Sequence, residues 1–360
     1  MQKRLATEVT EHAELDFTVL LGDSVTSVAK VYPNHSCGSA ASRAGIMKSF
    51  QRFGIAIVAI AVAAVVVHAC SIPVFRYALE RWELTAYDLV VFHKEPLSAE
   101  AKASLRNIEK EANLVVTMID VDEPIPKAFR SLWEKHGKDQ KLPWAAVKVQ
   151  GAEDGTPLAW SGPIDAESLR GLTDSPMRTK LIASLSKADT AAFILLTSGD
   201  KDADELAFKM LEKELNRLEK AITLPEQKNE GPQLRTGLPL HVRFSIHRMN
   251  RDDPAEREFL RILFSTEEDL DKVKGPIVLP IFGRGRLLCS LYGKDLTTTQ
   301  IANVTRFLCG ECSCQVKELN PGVDLLLRAD WPRILETAGP PSDPRPDQPP
   351  ANKNKKSGDK

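Results

Sequence analysis

Leu142-Pro143-Trp144-Ala145-Ala146-Val147-Lys148-Val149, followed by the glycine-bounded turn 151–155 and by Leu158-Ala159-Trp160-Ser161, reads as a β-hairpin entered through a proline. Proline has no N–H to give to a strand ladder, so its place is at the start of the run. Upstream, residues 87–93 (YDLVVFH) and 114–120 (LVVTMID) are short apolar runs rich in β-branched side chains, the pattern of buried strands. Between them Ser98 opens a helix to about residue 112. Its hydroxyl can accept from first-turn N–H groups, and Glu100 sits at the positive end of the helix dipole. A second helix spans 126–136 and stops at Gly137. Beyond the hairpin, Asp165 caps a helix through Leu172. The order is β-α-β-α-β-β-α.

The same order recurs downstream. Residues 191–197 (AAFILLT) form a strand, and 204–222 a helix with Leu211, Leu215, Leu218 and Ile222 on one face. A polar loop covers 223–237. Residues 240–249 then alternate Val242, Phe244, Ile246 with His241, Arg243, Ser245, His247, as a strand with one wet face does. A helix at 254–264, a strand at 275–282, a turn at 283–286, a strand at 287–292 and a helix at 299–309 complete the unit. Pro276 holds the place that Pro143 holds in the first unit. Trp82, Trp133, Trp144 and Trp160 are assigned to the first core and Trp331 to the second.

This repeated βαβ-ββα order, with a proline before each hairpin, resembles the thioredoxin fold. The resemblance implies an α/β protein of two tandem thioredoxin-like domains, at about 80–175 and 176–335. It also implies that Pro143 and Pro276 face the family's active-site position, where the proline is commonly cis. The family's redox chemistry uses a low-pKa thiolate at the start of the first helix. The matching segments, 92–98 (FHKEPLS) and 197–202 (TSGDKD), contain no cysteine. What remains is a candidate binding surface of His93, Lys94, Pro143 and Pro276, and no enzyme is expected.

Other motifs do not restore one. No G-x-S-x-G elbow and no G-x-x-x-x-G-K-[ST] loop is present, and 283–286 (GRGR) reads as a turn. Asp120, Asp122 and Glu123 read as a solvated strand end. A net charge of -1 supplies no field for nucleic acid, and none is expected as a partner.

The chain's address is carried by residues 53–69, FGIAIVAIAVAAVVVHA, an uncharged run preceded by Lys48 and Arg52, with Met47 as a candidate start. Three readings are open: a lipoprotein signal with lipid on Cys70, in which His68 fits poorly; a signal peptide cut after Ala69; and a retained anchor extending to Phe75. All three place residues 76–360 outside the cytoplasm, in a bacterial cell envelope, tethered through 53–75 or through Cys70. Residues 1–46 are a tail or precede the true start, 47–75 form the signal or anchor, and 336–360, rich in proline and lysine, form a disordered tail. The expected role is the display of the two domains to a protein partner.

Four of the six cysteines crowd near the end: Cys289, Cys309, Cys312 and Cys314. An oxidising compartment favours disulfides among them. The alternative is thiol–disulfide exchange, or a Cu or Zn site built from these four thiolates. Cys70 stands apart from this group, as a lipid acceptor and not a redox partner.

Overall fold

The computed structural model describes residues 70–148, 158–228, 231–312 and 315–341. Residues 53–69, the turn 151–155 and Cys314 lie outside them, as do residues 1–46 and most of the predicted tail. The chain is a mixed α/β protein. It opens with β1 (Cys70–Pro73) and α1 (Val74–Arg81), then β2 (Tyr87–His93), α2 (Ala99–Glu111), β3 (Leu114–Asp120) and α3 (Lys127–Leu132). β4 (Trp144–Lys148), β5 (Leu158–Pro163), α4 (Ala166–Thr173) and α5 (Pro176–Leu185) follow. The second half holds β6 (Ala191–Thr197), α6 (Lys201–Ala221), β7 (Phe244–Asn250), α7 (Arg257–Phe264), β8 (Ile277–Phe282), β9 (Arg286–Leu287) and β10 (Leu291–Tyr292). α8 (Thr298–Cys309), β11 (Glu311–Cys312), β12 (Val323–Asp324) and α9 (Trp331–Thr337) close it.

Two sheets repeat one plan. In the first the strand order is β3-β2-β4-β5. β2 runs parallel to β3, with His93 level with Asp120, and antiparallel to β4, with Phe92 opposite Trp144. The second sheet contains the order β9-β8-β6-β7. β6 runs parallel to β7, with Thr197 level with Asn250, and antiparallel to β8, with Leu196 opposite Ile277. A parallel neighbour requires a crossover, and α2 and α6 supply it. β12 and β10 enlarge the second sheet, by pairing with β9 and β8.

A single apolar core joins the inner faces of both sheets. Leu89, Val91 and Val147 of the first reach Ile194, Leu279 and Ile281 of the second through Leu169, Leu172, Phe259 and Ile262. Polar pins cross the same region. Arg178 is fully buried, and its guanidinium donates to the carbonyls of Leu326 (3.1 Å), Gly171 (3.2 Å) and Leu172 (2.8 Å). It also lies 4.6 Å above the Phe259 ring. Burial lowers its pKa to about 10, which leaves it charged at neutral pH. The Tyr87 hydroxyl donates to the Asp324 carbonyl at 2.7 Å. The Asp324 carboxylate takes Arg286 at 3.0 Å and Lys317 at 2.9 Å.

Several sequence expectations change here. Residues 70–75, read as the end of an anchor or signal, are instead β1 and the start of α1. Ile72, Val74, Phe75, Tyr77, Ala78 and Trp82 are packed with Phe193, Leu195 and Phe282 of the second sheet. Trp82 therefore serves the second core and not the first. Ion pairing allows a charged segment to enter that core: Arg76 and Glu80 are both buried, with Nε and Oε1 3.0 Å apart. Arg76 also donates to the carbonyls of Thr236 (3.1 Å) and Leu238 (2.9 Å), while Glu80 accepts from the N–H groups of Arg235 (2.8 Å) and Thr236 (3.1 Å). At the other end, residues 336 and 337, expected in a disordered tail, belong to α9, and the Gly237 N–H donates to Gly339 at 2.8 Å. Among the described residues no helix is long and apolar enough to cross a membrane.

Candidate functional site

His93 and Lys94 lie at the C-terminal end of β2, and Pro143 immediately precedes β4. The Phe92–Trp144 register puts all three at one sheet end. Leu142–Pro143 is the only cis peptide among the described residues. Asp120 ends β3 beside them, and the Val121 N–H donates to the His93 carbonyl at 2.9 Å. Lys94 reaches Asp122 at 3.3 Å, with both side chains largely exposed, so the pair contributes little to stability. Nδ1 of His93 is buried without a hydrogen-bond partner among the described residues. Beneath this ledge, Phe92 packs against Trp133 and Trp144, with ring centroids 5.1 and 5.7 Å away. Ser98 caps α2 as its sequence suggests, accepting from the Ala101 N–H at 3.1 Å.

The equivalent end of the second sheet is closed by its own hydrogen bonds. Asp204 accepts from the Ser198 N–H (2.7 Å), the Ser198 hydroxyl (2.8 Å) and the Gly199 N–H (3.1 Å). Arg251 donates to the carbonyls of Val273 and Gly275, directly before Pro276. Pro276 follows a trans peptide and immediately precedes β8 of this second sheet. The four predicted surface residues therefore separate: His93, Lys94 and Pro143 meet, and Pro276 stands apart.

The cysteines divide as well. Cys289 follows β9 and is half-buried, whereas Cys309 ends α8 and is buried. Burial pushes both thiols up to about 12, so both stay protonated at neutral pH. That is the opposite of what a thiolate nucleophile needs. Cys312 is buried on β11. Among the described residues no group of three His, Cys, Asp or Glu side chains is placed to hold a metal ion. Cys70 does not stand apart from this group: its Cα faces that of Cys312 across the antiparallel β1–β11 pair.

Sequence reasoning missed an open cleft of about 470 Å³ lined by Tyr77, Arg81, Trp82, Pro232, Arg235 and Gln315. Arg81 stacks 4.8 Å from the Tyr77 ring centroid, and the Trp82 indole N–H donates to the Gln315 carbonyl at 3.0 Å. The local signal is the Tyr77–Arg81 spacing on one helix face, but the other walls lie more than 150 residues downstream. A Ser184–His247 contact of 3.0 Å likewise has no signal in the sequence. Among the described residues no carboxylate hydrogen-bonds to that imidazole. Asp189 turns to Arg243 at 3.4 Å and to Ser245, so the orienting member of a nucleophilic triad is lacking.

No family model matches the chain, and no curated protein matches it either.

Proposed function

We propose that the chain is an exported, membrane-tethered envelope protein whose two α/β units are thioredoxin-like, and that it works by binding and not by catalysis. The tether is the run 53–69 or a lipid on Cys70. The single observation that carries the binding role is the contrast between two equivalent sheet ends. In the second unit that end is closed by Asp204 and Arg251. In the first, an exposed Lys94 and Pro143 are left together beside His93, whose Nδ1 is buried without a hydrogen-bond partner among the described residues. A protein segment with a carboxylate for Lys94 suits this ledge. The repeated strand order supports the thioredoxin-like reading, and the lack of cysteine at both helix starts supports a non-catalytic one. The protonated state of Cys289 and Cys309 lends no support to the thiol-exchange alternative.

A photo-crosslinker at Lys94 in the producing cells tests the assignment. A discrete protein adduct is expected, weakened several-fold when His93→Ala and Pro143→Ala are added. An adduct unchanged by that pair, or robust insulin reduction by the purified protein, overturns it.

A further inference from the structure

We propose that the cleft beside α1 holds the phosphate headgroup of an anionic phospholipid and so seats the folded chain on its membrane. Donors and aromatic rings line the cleft, and no acidic side chain among the described residues does. Arg81 gives one N–H to the buried Glu80 carboxylate at 3.2 Å and another to the Gln233 carbonyl, with its guanidinium resting on the Tyr77 ring. Its remaining N–H groups are left for a ligand. Gln315 accepts from the Tyr77 hydroxyl at 3.0 Å through its side-chain oxygen, which leaves its amide nitrogen to donate. Arg235 is exposed. Its backbone N–H donates to Glu80 at 2.8 Å, and its guanidinium has no partner among the described residues.

The charge on this cleft is poorly balanced. Glu80 is already held by Arg76 at 3.0 Å. Arg284 is near enough to Arg235 to feel its charge, and Glu83 offsets only part of that repulsion. An anion in the cleft is attracted by Arg81 and Arg235 together. Guanidinium groups present paired N–H donors that match phosphate oxygens.

Two observations select a membrane phosphate from other anions. First, the segment that begins at Gln315 carries Val316 and Leu319, which are 51% and 74% exposed. The Leu319 N–H donates to the Val316 carbonyl at 3.2 Å, so the two residues bracket one tight turn, a spacing that sets them on one side of it. Apolar side chains at the rim of a cationic cleft suit acyl chains beside a headgroup. Second, β1 opens at residue 70, directly after the uncharged run 53–69, and its backbone pairs with residue 312 of β11. Gln315 follows three residues on, so the cleft wall lies within roughly 16 Å of the end of that run. With the run in a bilayer, that reach brings the cleft to the headgroup layer. This step rests on the tether proposed above. A zwitterionic headgroup fits worse, because its own cation faces the two arginines.

Native mass spectrometry of the full chain, released from nonionic-detergent micelles that carry phosphatidylglycerol or phosphatidylcholine, tests the site. A single retained phosphatidylglycerol per chain is expected, with phosphatidylcholine held about tenfold more weakly. Arg235→Gln should weaken retention about tenfold, and Leu319→Glu several-fold. Both side chains are exposed, and an unchanged melting temperature confirms that the variants fold. Equal retention of the two lipids, retention unchanged in Arg235→Gln, or displacement of phosphatidylglycerol by an equal concentration of inorganic phosphate overturns the proposal. The first two results mark lipid held by the run 53–69 alone, and the third marks a site for free phosphate. Protease digestion of intact and lysed cells reads export separately. Retention that needs Arg235, in a protein found in the cytoplasm, refutes export and upholds the cleft.

Discussion

At the scale of single residues, buried charge explains most of what the sequence hides. Arg76, Glu80 and Arg81 follow an apolar run in the sequence. Their partners lie at 233–238, more than 150 residues away, so nothing local marks Arg76 and Glu80 as buried. Removing one member of a buried pair strands the other charge, at about 3–5 kcal/mol. Glu80→Ala should therefore lower the unfolding free energy by that amount in urea titrations, while Arg76→Met with Glu80→Met should restore much of it. The imidazoles give a pH prediction. Burial lowers the pKa of His247, which also faces Lys180 and Asp189, and of His241, which faces Asp189, Arg243, Arg76 and Glu219. A histidine with a depressed folded pKa contributes stability above its ordinary value of about 6.5, and that contribution is lost as pH falls through the folded value. Asp189 has the opposite sign, since burial raises its pKa, and its window lies near the carboxylate range. Stability should thus decline from pH 7 towards pH 5. His241→Asn with His247→Asn should flatten that slope, and an unchanged slope in the double variant refutes the assignment.

At the scale of elements, legibility follows locality. The strands at 87–93, 114–120 and 191–197 are continuous apolar runs, and the structure places them at those residues. α5 escapes the sequence reading although Ser175 caps it and Pro176 occupies its first turn. Its apolar stripe of Met177, Leu181 and Leu185 is interrupted by Arg178, which is buried and so breaks the pattern that signals a buried face. From the sequence, the turn 283–286 is only a connector. In the structure it seats α1: Gly283 has φ +60°, and a Cβ there would stand 2.8 Å from the Ala78 Cβ. Left-handed backbone and overpacking act together at this point, so Gly283→Val should cost about 2–3 kcal/mol. Gly199, at φ +92° with open space where a Cβ would stand, carries only the backbone penalty. Gly199→Ala should cost about 1 kcal/mol. Equal losses at both sites in urea titrations would show that the turn does not press on α1.

At the scale of the whole molecule, the two halves are less separable than tandem domains suggest. Each half follows the same strand order, which is why the sequence divides them cleanly near residue 175. What it cannot display is the shared core, since members of it such as Leu172 and Phe259 lie far apart in the chain. Cut at that boundary, the first half exposes Leu89, Val91, Leu169 and Leu172, and the second loses β1 and α1 unless residues 70–81 travel with it. Arg178 ties the two halves through its three carbonyl bonds, and Tyr87 and Thr85 tie the first half to Asp324 of the second, with the Thr85 N–H donating to the carboxylate at 2.8 Å. Cooperativity follows from this arrangement. The full chain should unfold in one calorimetric transition whose van't Hoff and calorimetric enthalpies agree. Arg178→Ala, which removes three hydrogen bonds to carbonyls, two of them buried, should shift that transition down without splitting it. A fragment of residues 80–175 should show collapsed, poorly dispersed amide spectra. Dispersed spectra from that fragment, or two resolved transitions in the full chain, would mean that each sheet carries a sufficient core of its own and that the buried contacts between them are incidental.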